Sequence, residues 1–328
     1  MASTGKRVLT LARNVSFSIP LQSQQPHYPL IFRGFFSTDP SISITNPLLL
    51  KLLQEPTSSV KSVLDSQENG FLCSSRLSLN DLVTSLISSS KPKTAQLVLE
   101  WKLEKLSKRN ESDPDLYINL IRLCGKLRDS FLAMRVFTVM EFQGVKPTVT
   151  AFNSLIEACI SSHNMITAFG IFEVMKNSKN FKPNTDTFYY FISEFSKLHD
   201  VNSMQAWYSA KKAFEFSPDL RTYEALIHGS VKSKCFDFAV KCFEEMMLSD
   251  IVPNAIILEN MLEGLCKRKN FDEVKKFLNV VLDNGWEINW NVVEKFIPVW
   301  FESGELEGMK EILTKINKSN SATDDIQS

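Results

Sequence analysis

The sequence predicts an all-α fold, a right-handed α-solenoid in which helix-turn-helix repeats of about 35 residues stack into a superhelix. The first observation is a set of prolines spaced by 36, 35 and 35 residues: Pro147, Pro183, Pro218 and Pro253. The second is an apolar or aromatic residue five positions after each proline, with one further period: Phe152, Phe188, Tyr223, Leu258 and Val293. The third is the scarcity of glycine, only 11 residues, which argues against a sheet-and-turn architecture or a glycine-rich phosphate loop.

Each period contains two helical patterns. In the first helix, segments such as 151–160, 222–231 and 258–267 place apolar residues at helical spacing. In the second helix, three repeats share a small residue, an aromatic residue four positions later and a methionine three positions after that. This i, i+4, i+7 spacing lies on one helix face, which we predict to be core rather than a cofactor site. The triplets are Ala133–Phe137–Met140, Ala168–Phe172–Met175 and Ala239–Phe243–Met246.

The prolines mark the boundary between successive hairpins. Proline cannot continue a helix, and it moves the preceding residue out of the helical region. Thr148, Asn184 and Asn254 follow directly and suit the turn or the N-cap of the next helix. A single hairpin cannot bury its apolar face, so we expect stacking of the hairpins to stabilise the fold.

The two ends of the chain differ from the repeats. Residues 1–38 carry Lys6, Arg7, Arg13 and Arg33 and no acidic residue, which is typical of an organellar transit peptide. Residues 39–78 are rich in serine and predict a linker or an N-terminal cap, and residues 320–328 predict a disordered tail. Between them, residues 79–319 predict the solenoid. Its repeats are 79–113, which is degenerate, 114–148, 149–184, 185–219, 220–254, 255–289 and a partial repeat at 290–319.

Composition excludes several function classes. No apolar stretch approaches the ~20 residues of a membrane-spanning helix, so we expect no membrane association. None of the six cysteines forms a CxxC or lies at zinc-ligand spacing from histidine, and Cys124, Cys159 and Cys266 recur on a helical apolar face. His163 and His199 fall between paired helices, where polar surface residues are expected. No motif for catalysis stands out, and we expect no enzyme activity, no metal, no cofactor and no small-molecule substrate.

The repeat resembles the pentatricopeptide repeat family of plant organelles, in particular its 35-residue P-type. The resemblance rests on "TAFNSLIEAC", "AFGIFEVMKNSKNFKPN", "RTYEALIHGSVKSKCFDFAVKCFEEMMLSDIVPN" and "LEGLCKRKNFDEVKKFL". Tetratricopeptide repeats have 34 residues and a Trp, Gly and Tyr signature in the first helix that is missing here. The resemblance implies that one repeat contacts one RNA base through the fifth residue of that repeat and its last residue.

Carried onto this chain, the resemblance implies five pairs of RNA-binding residues. They are Ile118 with Thr148, Asn153 with Asn184, Tyr189 with Asp219, Glu224 with Asn254, and Glu259 with Asn289. Only Asn153 with Asn184 matches a readable pair, which would favour a pyrimidine. The fifth-position residues Glu224, Glu259 and Glu294 form an acidic column that would repel phosphates. The second positions, such as Asp186 and Arg221, are polar and unsuited to stacking on a base.

Charge gives a further constraint. Without residues 1–38 the chain would carry 37 − 4 = 33 basic against 37 acidic residues, whereas a protein that binds phosphates should carry a basic stripe. Lysines on helix faces or ends offer local phosphate contacts, although a solvated surface is the more common role of such residues. They are Lys211, Lys212, Lys232, Lys234, Lys267, Lys275 and Lys276.

Two functional hypotheses follow. The first is a non-catalytic RNA-binding adaptor in mitochondrial RNA metabolism or translation, which holds single-stranded or ribosomal RNA in the concave groove of the solenoid. The alternative is a protein-interaction scaffold or mitochondrial-ribosome accessory protein that uses the acidic column of the same groove. The presequence-like composition favours the mitochondrial matrix over the plastid.

Overall fold

A computed structural model describes residues 46–66, 78–269 and 271–286, together with scattered positions between 293 and 315. Its regular elements are helices, as the sequence predicted, and the observed class is the predicted stack of helical hairpins. The transit peptide predicted for residues 1–38, the tail predicted for 320–328, Cys73 and Asn289 lie outside the described residues. The helices are α1 (Pro47–Gln54), α2 (Val60–Ser66), α3 (Leu79–Ser88), α4 (Pro92–Lys108), α5 (Pro114–Leu127), α6 (Ser130–Phe142), α7 (Val149–Ser161), α8 (Met165–Asn177), α9 (Thr185–Lys197), α10 (Val201–Ala213), α11 (Leu220–Lys232), α12 (Phe236–Leu248), α13 (Ala255–Arg268) and α14 (Phe271–Asp283).

The chain divides into two compact units at the boundary between Pro183 and Asn184. The first unit contains α1 to α8, and α3, α5 and α7 pack side by side as the first helices of successive hairpins. Residues 46–66, for which the sequence suggested a linker or a cap, are helical and pack on this stack. Trp101 Nε1 on α4 donates a hydrogen bond of 2.9 Å to Asp65 Oδ1 on α2, and Lys105 forms an ion pair with the same carboxylate.

The second unit contains α9 to α14. Its hairpins are α9 with α10, α11 with α12 and α13 with α14, and the first helices α9, α11 and α13 form a continuous layer. The aromatic or aliphatic landmarks of the 35-residue period are the centre of this packing. Phe188 and Tyr223 are fully buried and Leu258 is 1% exposed. The predicted period therefore corresponds to the core of the layer.

The second-helix triplets also lie in the core, which confirms the prediction from their spacing. All nine residues named for them are buried. In the repeat 185–219 the equivalent positions hold Met204, Tyr208 and Lys211, and these three are buried as well. Lys211 was predicted to lie on a helix face, and that prediction is wrong because its side chain occupies the position that methionine fills in neighbouring repeats.

The turn between the paired helices contains one left-handed residue in each of the five repeats from 114–148 to 255–289. One residue takes a left-handed backbone with φ between 57° and 62°, and these residues recur every 35 or 36 positions: Arg128, His163, His199, Lys234 and Lys269. His163 and His199 thus lie in the turns, as predicted. In these turns a residue other than glycine takes the left-handed conformation that glycine most often adopts after a helix C-terminus.

The cysteines predicted to be core residues are buried and unpaired. Cys124, Cys159 and Cys266 are buried free thiols, and Cys242 is a fourth. Burial raises the pKa of Cys159 and of Cys266 to about 12, which suppresses the reactive thiolate form. These residues therefore act as small apolar side chains in the core. Among the described residues, no helix combines the length and apolar character needed to cross a bilayer.

Candidate nucleic-acid interface

In the repeats that end at Thr148, Asn184, Asp219 and Asn254, the last residue is the N-cap of the following first helix. Thr148 Oγ1 accepts a hydrogen bond of 3.1 Å from the Ala151 N–H, and Asn184 Oδ1 accepts one of 3.1 Å from the Thr187 N–H. Asp219 and Asn254 form the equivalent bonds, of 3.2 and 3.0 Å, with the residue three positions later. Capping fixes one side-chain atom of Asn or Asp and directs the other atom away from the helix end.

In the first unit, the predicted fifth-position residues are buried. Ile118 on α5 is 4% exposed and Asn153 on α7 is 5% exposed. The apolar side chain of Ile118 gains stability from this burial, which explains its position. Asn153 lies in the first unit, and Asn184 begins the second. That these residues contact RNA remains a prediction.

In the second unit, the structure brings the predicted pair Glu224 and Asn254 together. Asn254 Nδ2 donates a hydrogen bond of 2.8 Å to Glu224 Oε2, while its Oδ1 caps α13. Both ends of the Asn254 amide are therefore engaged within the protein. A base that reads this pair must replace the bond between them.

The pair Tyr189 and Asp219 is joined through Arg221, a second-position residue. The Arg221 guanidinium lies 4.8 Å from the centroid of the Tyr189 ring, and its Nε donates a hydrogen bond of 3.2 Å to Asp219 Oδ2. Its Nη2 donates a bond of 2.8 Å to Asp186 Oδ1, the second position of the preceding repeat. A guanidinium plane can stack on a nucleobase, so Arg221 offers a stacking surface at a second position that was predicted to be unsuited to stacking.

A buried lysine lies beneath Asp219. Lys211 Nζ on α10 donates a hydrogen bond of 2.7 Å to Thr222 Oγ1 and lies 3.5 Å from Asp219 Oδ1. The Thr222 hydroxyl donates in turn to Asp219 Oδ1. Burial opposes ionisation of Asp219, but the hydrogen bonds from Thr222 and the charge of Lys211 outweigh it and lower the pKa of Asp219 to about 2. Asp219 is therefore an anion at every physiological pH.

Lysines recur on the first helices of the second unit at 35-residue spacing. Lys197 lies on α9, Lys232 on α11 and Lys267 on α13. Lys232 and Lys267 both bind Glu263, with Nζ to Oε1 distances of 2.9 and 2.5 Å. Burial tends to raise the pKa of Glu263, but the hydrogen bonds from Lys267 and Lys232 lower it overall. We use the name first-helix face for the polar surface of α9, α11 and α13. Its residues are Tyr189, Lys197, Asp219, Arg221, Glu224, Lys232, Asn254, Glu263 and Lys267.

The three glutamates of the acidic column differ in their exposure to solvent. Glu224 and Glu259 are half-buried, and Glu294 is exposed. Among the described residues, no group of three or more histidine, cysteine, aspartate or glutamate side chains is arranged to hold a metal ion. The site is thus a series of hydrogen-bonded polar clusters at positions that recur with the hairpin period, and the side chains differ from one repeat to the next.

Comparison with known proteins gives a family match. A family model described as the pentacotripeptide-repeat region of PRORP matches residues 103–307. A chloroplastic pentatricopeptide repeat-containing protein of Arabidopsis thaliana is 23% identical over 241 residues, which cover 73% of this chain and 41% of the relative. A mitochondrial 15S rRNA processing factor of Debaryomyces hansenii is 20% identical, with coverage of 67% of this chain and 24% of the relative.

Solved structures of the same kind are also similar. The protein PPR10 in complex with an 18-nt psaJ RNA element has a TM-score of 0.45 and 16% identity, over 83% of this chain and 42% of that chain. The repeat domain of Arabidopsis thaliana protein-only RNase P 1 in complex with tRNA has a TM-score of 0.45 and 25% identity, over 54% of this chain and 94% of that chain. This chain spans 41% or less of the curated relatives named above. Because the family match covers more than half of the sequence, the chain belongs to the pentatricopeptide repeat family.

Proposed function

We propose that this protein is a non-catalytic RNA-binding adaptor of an organelle, and that it holds single-stranded or ribosomal RNA against its first helices. The compartment that we propose is the mitochondrial matrix, because of the composition of residues 1–38. Relatives named as mitochondrial and as chloroplastic support an organellar location for the family. In this role the protein protects or positions a transcript, or assists its translation, by occupying it.

The observation that carries the proposal is the first-helix face of the second unit. Polar clusters at the predicted base-contact positions, Tyr189 with Asp219 and Glu224 with Asn254, lie on the same helices as the recurring lysines. Hydrogen-bonding groups for bases and cations for phosphates are the two components that single-stranded RNA recognition requires. Two such clusters are described, and the lysines on α9, α11 and α13 recur at 35-residue spacing beside them.

Within this proposal the cluster around Arg221 contacts a base. Arg221 and Tyr189 provide planar surfaces on which a base can stack, and Asp219 provides an acceptor. Asn153, Asn184, Ile118, Thr148, Glu259 and Asn289 remain proposed contacts on the strength of the family resemblance. Since few of these pairs match a readable code, we propose that binding depends on RNA structure and backbone as much as on sequence.

The proposal is tested by comparing two pairs of lysine substitutions. Lys232→Ala with Lys267→Ala removes cations from the first-helix face, and Lys241→Ala with Lys176→Ala removes the same charge from exposed positions on second helices. Affinity for a labelled single-stranded oligopyrimidine RNA is measured by fluorescence anisotropy as salt is varied. We expect the first pair to weaken binding by roughly three- to tenfold at low salt and the second pair to have little effect. No binding by the unmodified protein, or equal losses in both pairs, would contradict the proposal.

The scaffold hypothesis is distinguished in the same experiment by a second ligand. The exposed Glu294 and the half-buried Glu259 favour a basic partner by charge complementarity. A lysine-rich peptide is therefore added in place of RNA. Tight peptide binding that is lost on Glu259→Gln, combined with no RNA binding, would support the scaffold over the adaptor.

A further inference from the structure

One repeat differs from the others at two positions together. The second-helix core position that ends the triplet holds Met140, Met175, Lys211, Met246 and Val281 in successive repeats. The last position of the same repeats holds Thr148, Asn184, Asp219, Asn254 and Asn289. The repeat 185–219 alone among these five has a carboxylate at its last position, and it alone has a cation at the core position. The two changes compensate each other in charge.

The geometry links the two residues directly. Lys211 is fully buried, and its Nζ lies 3.5 Å from Asp219 Oδ1 and 2.7 Å from the Thr222 hydroxyl. A lysine ammonium in a core is costly unless a counter-ion and hydrogen bonds satisfy it. Asp219 and Thr222 supply both. Methionine would fill the same space without this requirement, as it does at three equivalent positions, so packing alone does not explain the lysine.

The two carboxylate oxygens of Asp219 have different partners. The Asp219 side chain is 36% exposed, and Oδ2 accepts the Arg221 Nε bond at the first-helix face. Oδ1 is bound on the core side, by Lys211 and by the Thr222 hydroxyl. An aspartate on a surface that meets phosphates normally weakens binding by repulsion. Here Arg221 lies on one side of it and Lys211 on the other; burial lowers the pKa of Lys211, whereas the charge of Asp219 and its hydrogen bond favour the ammonium form.

We propose that Lys211 is a positioning residue for RNA binding: it compensates and orients Asp219 from inside the core, so that an acceptor-only carboxylate can face RNA without repelling it. This inference rests on the proposed function of the first-helix face. Lys211 itself touches no ligand, since it has no exposed surface. It acts through Asp219, which the cap and the lysine hold in one orientation.

The test uses four proteins: the unmodified chain, Lys211→Met, Asp219→Asn and the double variant. Methionine is chosen because Met140, Met175 and Met246 are fully buried at the equivalent positions. Lys241→Met is the matched control, since it removes one exposed cation from the second helix α12, outside the first-helix face. Melting temperature is measured for each protein, and affinity for a labelled oligouridine RNA is measured across a range of salt concentrations.

We expect Lys211→Met to weaken RNA binding roughly threefold at low salt, the effect of one uncompensated charge about 7 Å from a phosphate in water. The loss should disappear at high salt, where the charge is screened. Adding Asp219→Asn should restore both affinity and melting temperature, because the neutral pair reproduces the neighbouring repeats. Lys241→Met should leave the affinity unchanged.

The outcomes separate this inference from the proposed function. If the unmodified chain binds no RNA, the proposed function fails and this inference fails with it. If the unmodified chain binds and Lys211→Met binds equally at every salt concentration, Lys211 has only a structural role and the inference alone is overturned.

If Lys211→Met does not fold, the comparison moves to Asp219→Asn against the double variant. Asp219→Asn then leaves the buried lysine charge uncompensated and should bind more tightly at low salt, and equal affinities overturn the inference.

Discussion

At the scale of single residues, Asn254 shows how one side chain serves both the fold and the candidate site. Its Oδ1 caps α13 through the Ile257 N–H, and its Nδ2 donates to Glu224 Oε2. An N-cap stabilises a helix by about 1 kcal/mol, so this residue is held in place before any ligand arrives. The same dual role follows for Asp219 and Asn184, which cap α11 and α9.

Substitutions at Asn254 separate these two roles. Asn254→Asp keeps a good N-cap but replaces the amide donor by an acceptor opposite Glu224. We expect a loss of about 1 kcal/mol in the free energy of unfolding at neutral pH, measured by urea denaturation. Glu224→Gln added to this variant supplies a donor and should recover the loss. A single variant as stable as the unmodified protein, or no recovery in the double variant, would show that the bond contributes nothing.

At the scale of elements, the packing of the first helices depends on close approach at one position. A Cβ atom added to Gly229 on α11 would lie 2.7 Å from Ser196 Oγ and 2.8 Å from Ser196 Cα on α9. Gly264 on α13 is the equivalent residue of the next repeat, and its Cβ would lie 2.9 Å from a Val231 methyl group. Glycine at this position therefore sets the distance between neighbouring first helices.

Gly229→Ala tests this packing because two effects oppose each other. In an exposed helix the change would stabilise by about 1 kcal/mol, since alanine is the better helix former. Here the contact with the Ser196 backbone cannot be relieved by a side-chain rotation, and we expect a net destabilisation of about 1–3 kcal/mol. Thermal unfolding followed by circular dichroism measures whether the substitution stabilises or destabilises the protein. Lys241→Ala, at an exposed site on α12, is the control, and a stabilised Gly229→Ala protein would disprove the close packing.

Periodicity predicted the helices and their core but not the partners of polar side chains. The landmarks at Phe152, Phe188 and Tyr223 were predictable because an apolar face repeats within each helix. Lys211 was assigned to the surface because its partners Asp219 and Thr222 lie beyond the next turn. The contact of Arg221 with Tyr189 joins two helices of different repeats. Such contacts depend on how neighbouring hairpins pack, which the local pattern of one helix does not contain.

At the scale of the whole molecule, charge is balanced both in total and locally. The chain has 37 basic and 37 acidic residues, and its recurring lysines are paired within the first-helix face. Glu263 receives Lys232 from α11 and Lys267 from α13, so one carboxylate offsets two cations. A face arranged in this way attracts RNA weakly at long range and depends on short-range contacts. Its affinity is therefore set by how many lysines are available to phosphates.

Glu263→Gln tests this dependence by freeing Lys232 and Lys267 together. Glu244→Gln is the matched control, because it changes the net charge equally at an exposed position on the second helix α12. We expect Glu263→Gln to tighten binding of an oligopyrimidine RNA by roughly three- to tenfold at low salt and to steepen the slope of log affinity against log salt by roughly one. Glu244→Gln should change neither quantity, since its charge lies outside the first-helix face. Equal changes in both variants would mean that net charge alone controls binding and that the first-helix face is not where RNA is held.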